Sequence, residues 1–171
     1  MKKITSIRSG IPQKLATPTD LNKGACKAVT DVINPLIADA FALYIKTKNY
    51  HWHVTGSHYR DYHLLLDEQA AQIFNMIDIL AERIRKLGGT TIRSVDHVSR
   101  LTRIHDDNDA FVPPIEMIRR LLEDNKDYAT HLREAHRICD ENDDVATASV
   151  LEIFIDETER RTWFLYETQT D

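Results

Sequence analysis

Glycine and proline are scarce. The chain has 171 residues with five of each, and beyond Gly24 only Pro35, Gly56, Gly88-Gly89 and Pro113-Pro114 remain. Because these residues punctuate turns, the long stretches between them exclude a hairpin-rich β architecture and favour helices. Cysteine is nearly absent: Cys26 and Cys139 stand alone and fit no Cys-x-x-Cys pattern, so neither a disulfide framework nor a cysteine zinc site is expected. The opening MKKITSIRSG is followed by no apolar run of the kind a secretory signal needs, and no segment reads as apolar for long enough to span a bilayer. These absences give the expectation of a cytoplasmic protein without a membrane partner. Glu-x-x-His, the spacing by which helical bundles often hold two metal ions inside one chain, occurs nowhere.

What is present fits one globular domain: 42% hydrophobic and 29% charged residues in a length able to bury a substantial core. The formal net charge of −5 hides an asymmetry. Residues 1 to 19 hold Lys2, Lys3, Arg8 and Lys14 and no acid, leaving −9 on the remainder. Residues 1–20 are therefore expected to form a basic, flexible arm and residues 21–171 the folded body. Such an arm could meet nucleic-acid phosphates, or be an ordinary solubilising terminus.

Helical spacing runs through Val29, Ile33, Ile37, Ala40, Tyr44 and Ile45, with Pro35 inside and expected to bend the helix. A second helix is expected from Ser57, as N-cap, to Leu87, stopped by a left-handed Gly88 and burying Tyr59, Leu66, Ile73, Phe74, Ile77, Leu80 and Ile84. A short helix fits Arg93 to Leu101. Pro113-Pro114 opens a third long helix carrying Ile115, Ile118, Leu121, Leu122, Tyr128, Leu132, Ala135 and Cys139. The acidic turn Asp140 to Asp144 precedes a fourth, with Val145, Ala148, Leu151, Ile155, Thr162 and Tyr166 as a less tidy stripe. The fold class is all-α, a four-helix bundle with a short extra helix in the central connection.

The chemistry concentrates between Lys46 and Gly89. His51 falls on the inward face at the end of the first helix, with His53 turned away. On the second helix His63 and Asp67 lie one turn apart, as do Asp78 and Glu82, and all four share one face. The rise from residue 63 to residue 78 is nevertheless roughly 22 Å, far beyond metal–ligand distances of about 2.0–2.6 Å. If the two couples share a metal, a second chain must run antiparallel across a twofold axis. Two imidazoles and three carboxylates suit iron, manganese or zinc better than magnesium or calcium, and iron is the first reading. The missing Glu-x-x-His argues against an ordinary ferritin or di-iron oxygenase and for a site shared between chains.

Tyr50-His51-Trp52-His53-Val54-Thr55-Gly56, His63-x-x-x-Asp67, Asp78-x-x-x-Glu82 and Ala81-Glu82-Arg83 before Gly88-Gly89 resemble the Dps family of ferritin-like mini-ferritins. The resemblance is specific over about residues 40–89 and extends to nearly all of 21–166. It implies a ferritin-like bundle assembled into a dodecameric shell that oxidises Fe(II), preferably with hydrogen peroxide, and stores ferric mineral. His51, His63 and Asp67 would come from one subunit, Asp78 and Glu82 from its twofold mate. Trp52 matches the tryptophan to which scavenging of a stray oxidising equivalent is attributed, though a hydrophobic anchor is the competing role. Acids among Asp140, Glu141, Asp143 and Asp144 would line a threefold pore that admits iron. DNA would be met through the arm, with the protein then nucleoid-associated, although four basic residues fall short of the family's lysine-rich tails.

The sequence-based expectation is a ferroxidase, an oxidoreductase acting on metal ions, with iron at dinuclear sites and DNA protected from oxidative damage. The alternatives are a nucleoid DNA-binding structural protein with a vestigial metal site and a di-manganese catalase-like oxidase.

Overall fold

The computed structural model describes residues 13–169. Among them a 3-10 turn at Gln13–Leu15 precedes α1 (Lys23–His53), α2 (Tyr59–Lys86), α3 (Val95–Leu101), α4 (Pro114–Glu141) and α5 (Val145–Glu167), with no strand. The expected four-helix bundle with a short inserted helix is the observed fold. Lys2, Lys3 and Arg8 of the expected arm lie outside the described residues.

Local chemistry sets the helix ends. The Asn22 side chain accepts from the Ala25 amide at 3.0 Å and caps α1, which runs unbroken past Pro35. Gly56, at φ 97°, reverses the chain into α2, and so short a turn lays the two helices side by side. The expected cap at Ser57 is not formed: α2 begins at Tyr59, and His58 before it makes no capping bond. Gly88 does take the left-handed conformation, at φ 76°, and its Cα faces the Thr17 backbone. Ser94 rather than Arg93 marks the start of the inserted helix, accepting from the His97 amide at 3.1 Å.

α1 packs on α2 and α4 on α5; α1 also meets α4 and supports α3. By length and composition α1 could cross a membrane, with a mean hydropathy of 1.4 in its most apolar window, which corrects the expectation that no segment could. Its apolar residues Val29, Ile33, Leu36, Ile37 and Leu43 lie in the bundle core. The connection from α3 to α4 is laced along α1. Asp39, fully buried, accepts from the Arg103 amide at 2.6 Å and the Arg103 guanidinium at 2.6 and 2.9 Å. Further along, Lys46 donates to the His105 carbonyl at 3.2 Å and pairs with Asp124 of α4 at 2.7 Å. Tyr50 donates to Asp107, which Arg120 of α4 also binds at 2.7 Å. These ties fix the last turns of α1, where His51 stands.

The core departs from the apolar stripes in two ways. Ile45, Tyr59, Phe74, Ile115, Val145 and Tyr166, expected inside, are exposed on the single chain. Conversely, α5 buries Thr158 and Arg161 along with Leu151, Phe154 and Leu165. Arg161 donates to the Asn125 carbonyl oxygen at 3.0 Å and to Thr158 at 2.7 Å, and burial pushes its guanidinium down to about 10. Cys139 is also fully buried, and burial raises its thiol to about 12, so it is inert. Both cysteines are free.

Candidate metal centre

His51 and His63 meet where α1 ends and α2 begins. His51 Nδ1 lies 2.8 Å from the His63 carbonyl, and His63 Nδ1 lies 2.9 Å from the His51 carbonyl. A carbonyl only accepts, so each Nδ1 carries a proton, and Nε2 is left as the nitrogen that can offer a lone pair to a metal. Outer partners of this kind commonly fix the tautomer of a metal-binding histidine. The rings stack at a centroid separation of 3.8 Å and 20° between planes, and Tyr59 stacks on His63 at 5.1 Å and 26°.

Asp67, one turn beyond His63, brings its Oδ1 to 3.9 Å from His51 Nε2. The same oxygen takes Lys48 Nζ at 2.8 Å. That ammonium, with smaller contributions from the two histidines, holds the Asp67 carboxyl below the usual carboxylate range. Sequence reasoning missed Lys48, although it precedes His51 by three positions and so shares its helix face. His51 itself is buried and Asp67 exposed.

Asp78 and Glu82 stand apart from this group. The unbroken helix between His63 and Asp78 carries them roughly 22 Å away. Both are exposed; Glu82 pairs loosely with Lys86 at 3.4 Å. Asp78 lines an open cleft of about 490 Å³ with Ile37, Phe41, Ile45, Phe74 and Val95. Among the described residues of one chain, no three His, Cys, Asp or Glu side chains form a group able to hold a metal. One chain thus offers two separate part-sets of donors, a mixed N and O set where α1 ends and α2 begins and an oxygen-only couple further along α2, and together their chemistry suits Fe(II) and Fe(III).

Trp52 is 63% exposed, with Lys48 Nζ 5.8 Å from its ring centroid. His53 bonds the Asn49 carbonyl at 2.8 Å and faces away, as expected. In the acidic turn, Asp144 is buried: it caps α5 by accepting from the Thr147 amide at 3.1 Å and pairs with Arg83 at 2.9 Å. Asp140, Glu141 and Asp143 are exposed.

The fold and donor groups define a class: the family described as Ferritin-like domain matches residues 30–171. Over its whole length the structure resembles DpsC from Streptomyces coelicolor, with a TM-score of 0.90, 27% identity and coverage of 99% of this chain and 97% of that one. A DNA protection during starvation protein from Agrobacterium fabrum is 34% identical over 106 residues, 56% of this chain and 65% of that protein. DNA protection during starvation protein 1 from Deinococcus radiodurans is 36% identical over 78 residues, 46% of this chain and 38% of that protein. This chain spans about half the length of the curated relatives it matches. It belongs to the Dps family of ferritin-like proteins.

Proposed function

We propose that the protein is a ferroxidase and iron-storage mini-ferritin. Its site would form across a twofold axis, His51, His63 and Asp67 facing Asp78 and Glu82 of the partner subunit. The observation that carries this is the division of donors on α2: a histidine-carboxylate group at one end, an open carboxylate couple at the other, and an apolar cleft beside the second. Exposed apolar side chains such as Ile45, Phe74 and Val95 beside exposed carboxylates favour cover by another copy.

Iron is the substrate. Two Fe(II) ions each give one electron to hydrogen peroxide, the O–O bond breaks, and two protons complete two waters; the products are two Fe(III). Imidazole nitrogen suits Fe(II), and the three carboxylates accommodate the harder Fe(III). Pairing the electrons matters because a one-electron reduction would release hydroxyl radical. Trp52 follows His51 directly in the chain and its ring is exposed, and interception of such an oxidant is assigned to it. Twelve copies would form a shell in which Asp140, Glu141 and Asp143, rather than the buried Asp144, concentrate cations around a threefold pore.

The arm is assigned an auxiliary role in holding DNA. Arg85 donates to the Leu15 carbonyl at 2.8 Å, and Thr17 donates to the Arg85 carbonyl at 2.9 Å, so residues 15–17 lie beside the end of α2. Repetition on a shell would multiply weak contacts.

The test is to follow ferric absorbance after mixing Fe(II) and peroxide with the purified assembly, with its mass measured in parallel. Rapid oxidation by a twelve-subunit particle is expected; oxygen release from peroxide without iron would indicate the catalase-like alternative. For DNA, a salt-dependent gel shift should flatten when residues 1–19 are deleted. DNA retardation by a His51→Ala, Asp78→Ala variant whose iron oxidation matches wild type would favour the structural alternative.

A further inference from the structure

Tyr59 stands on the first turn of α2, in a stretch whose helix start lacks a side-chain cap. It is 47% exposed, yet its ring lies 5.1 Å from that of His63 at 26° between planes. His63 also stacks on His51 at 3.8 Å. The hydrogen bond from His63 Nδ1 to the His51 carbonyl fixes one atom of the imidazole and the His51 ring restrains its tilt in part, leaving the rest to its other ring neighbour, Tyr59. Torsions of this ring are broad, so a hydrogen bond alone sets its plane poorly. A metal bond needs the Nε2 lone pair, and hence the ring plane, to be aimed.

We propose that Tyr59 is a positioning residue for His63: its ring face, not its hydroxyl, holds the imidazole in the plane that presents Nε2 to iron. The inference rests on the proposed iron site. It deepens that reading by adding a side chain that touches no metal and donates nothing to it. The hydroxyl has no role in this arrangement, so phenylalanine should substitute for tyrosine and an aliphatic residue should not. Aromatic pairing of this kind has a worth that translates into about a three- to tenfold change in affinity.

The experiment compares wild type, Tyr59→Phe and Tyr59→Leu in two measurements on the whole assembly. Co(II) alone is titrated and its visible absorption followed, and the metal-free protein is treated with diethyl pyrocarbonate, with modification of His63 and of His53 as internal reference read by peptide mass spectrometry. Tyr59→Phe should bind Co(II) within about twofold of wild type, and Tyr59→Leu about three- to tenfold more weakly, with only a small loss of thermal stability. In the metal-free protein His63 should be modified several-fold faster in Tyr59→Leu only. Equal Co(II) binding and equal His63 modification in all three would overturn the positioning role, as would a Tyr59→Phe variant as impaired as Tyr59→Leu. Failure of wild type to take up Co(II) would instead contradict the metal site itself, and the inference would fall with it.

Discussion

Lys48 and Asp67 are ion-paired at 2.8 Å on the same carboxylate oxygen that approaches His51 Nε2. A metal ion that used this oxygen would compete with that ammonium. Asp67 is largely exposed, so water screens the pair and its hold on the carboxylate is weak. Lys48→Met should therefore bind Co(II) about two- to fivefold more tightly than wild type. Calorimetric titration checks it; weaker binding would mean that Lys48 assists the metal instead of competing with it.

The acidic turn divides into a structural and a solvent-facing part. Asp144→Ala removes a helix cap and leaves the Arg83 guanidinium without its carboxylate. A cost of about 2–3 kcal/mol is expected in a denaturation curve. Exchanging Asp140, Glu141 and Asp143 together for their amides should leave that curve nearly unchanged while slowing iron uptake into the shell, measured by stopped-flow absorbance.

Acid should loosen the lacing of α1. Burial alone would push the Asp107 carboxyl up, but the Tyr50 hydroxyl, the Asp109 amide and the Arg120 guanidinium together hold it below the usual range. Its folded value is thus depressed. The associated stability is fully present above the unfolded value near 3.9 and is lost as the pH falls through the folded one. Melting temperature should hold between about pH 5 and 8 and drop below about pH 4. Asp107→Asn should melt earlier near neutrality, by about 1–3 kcal/mol, and show a flatter acid limb.

At Gly88 a side chain would meet both a left-handed backbone and the Thr17 main chain, at 3.1 Å from an added Cβ. Gly88→Ala should cost about 1–2 kcal/mol, read from chemical denaturation. It should also detach residues 15–17, seen as faster proteolysis ahead of α1.

The helices were legible because so few residues could interrupt them: Gly56, Gly88 and Pro113-Pro114 sit at the observed breaks. Helix faces were less legible. Periodicity scores apolar residues, so it could not see that Asn125, Thr158 and Arg161 bond one another inside the bundle, or that Asp39 is buried against Arg103. It also placed Ile45 and Phe74 inside, where the single chain leaves them exposed along the Asp78 cleft. Spacing put His63 and Asp67 on one face with Asp78 and Glu82. It could not register the reciprocal carbonyl bonds of the two histidines, which join residues from different helices, nor the stacking of Tyr59. The four acids of the Asp140–Asp144 turn looked equivalent because a cap is a matter of backbone geometry.

The central claim is that neither end of α2 completes a metal site without another molecule. The direct measurement is the initial rate of ferrous oxidation after His63→Ala and Glu82→Ala chains are unfolded, mixed in equal amounts and reassembled together. Each alone should be inactive. Random pairing should restore about a quarter of the wild-type sites, since every mixed dimer regains one intact site and loses the other. A mixture as inactive as its two components, in particles whose mass proves that the chains exchanged, would contradict the shared site.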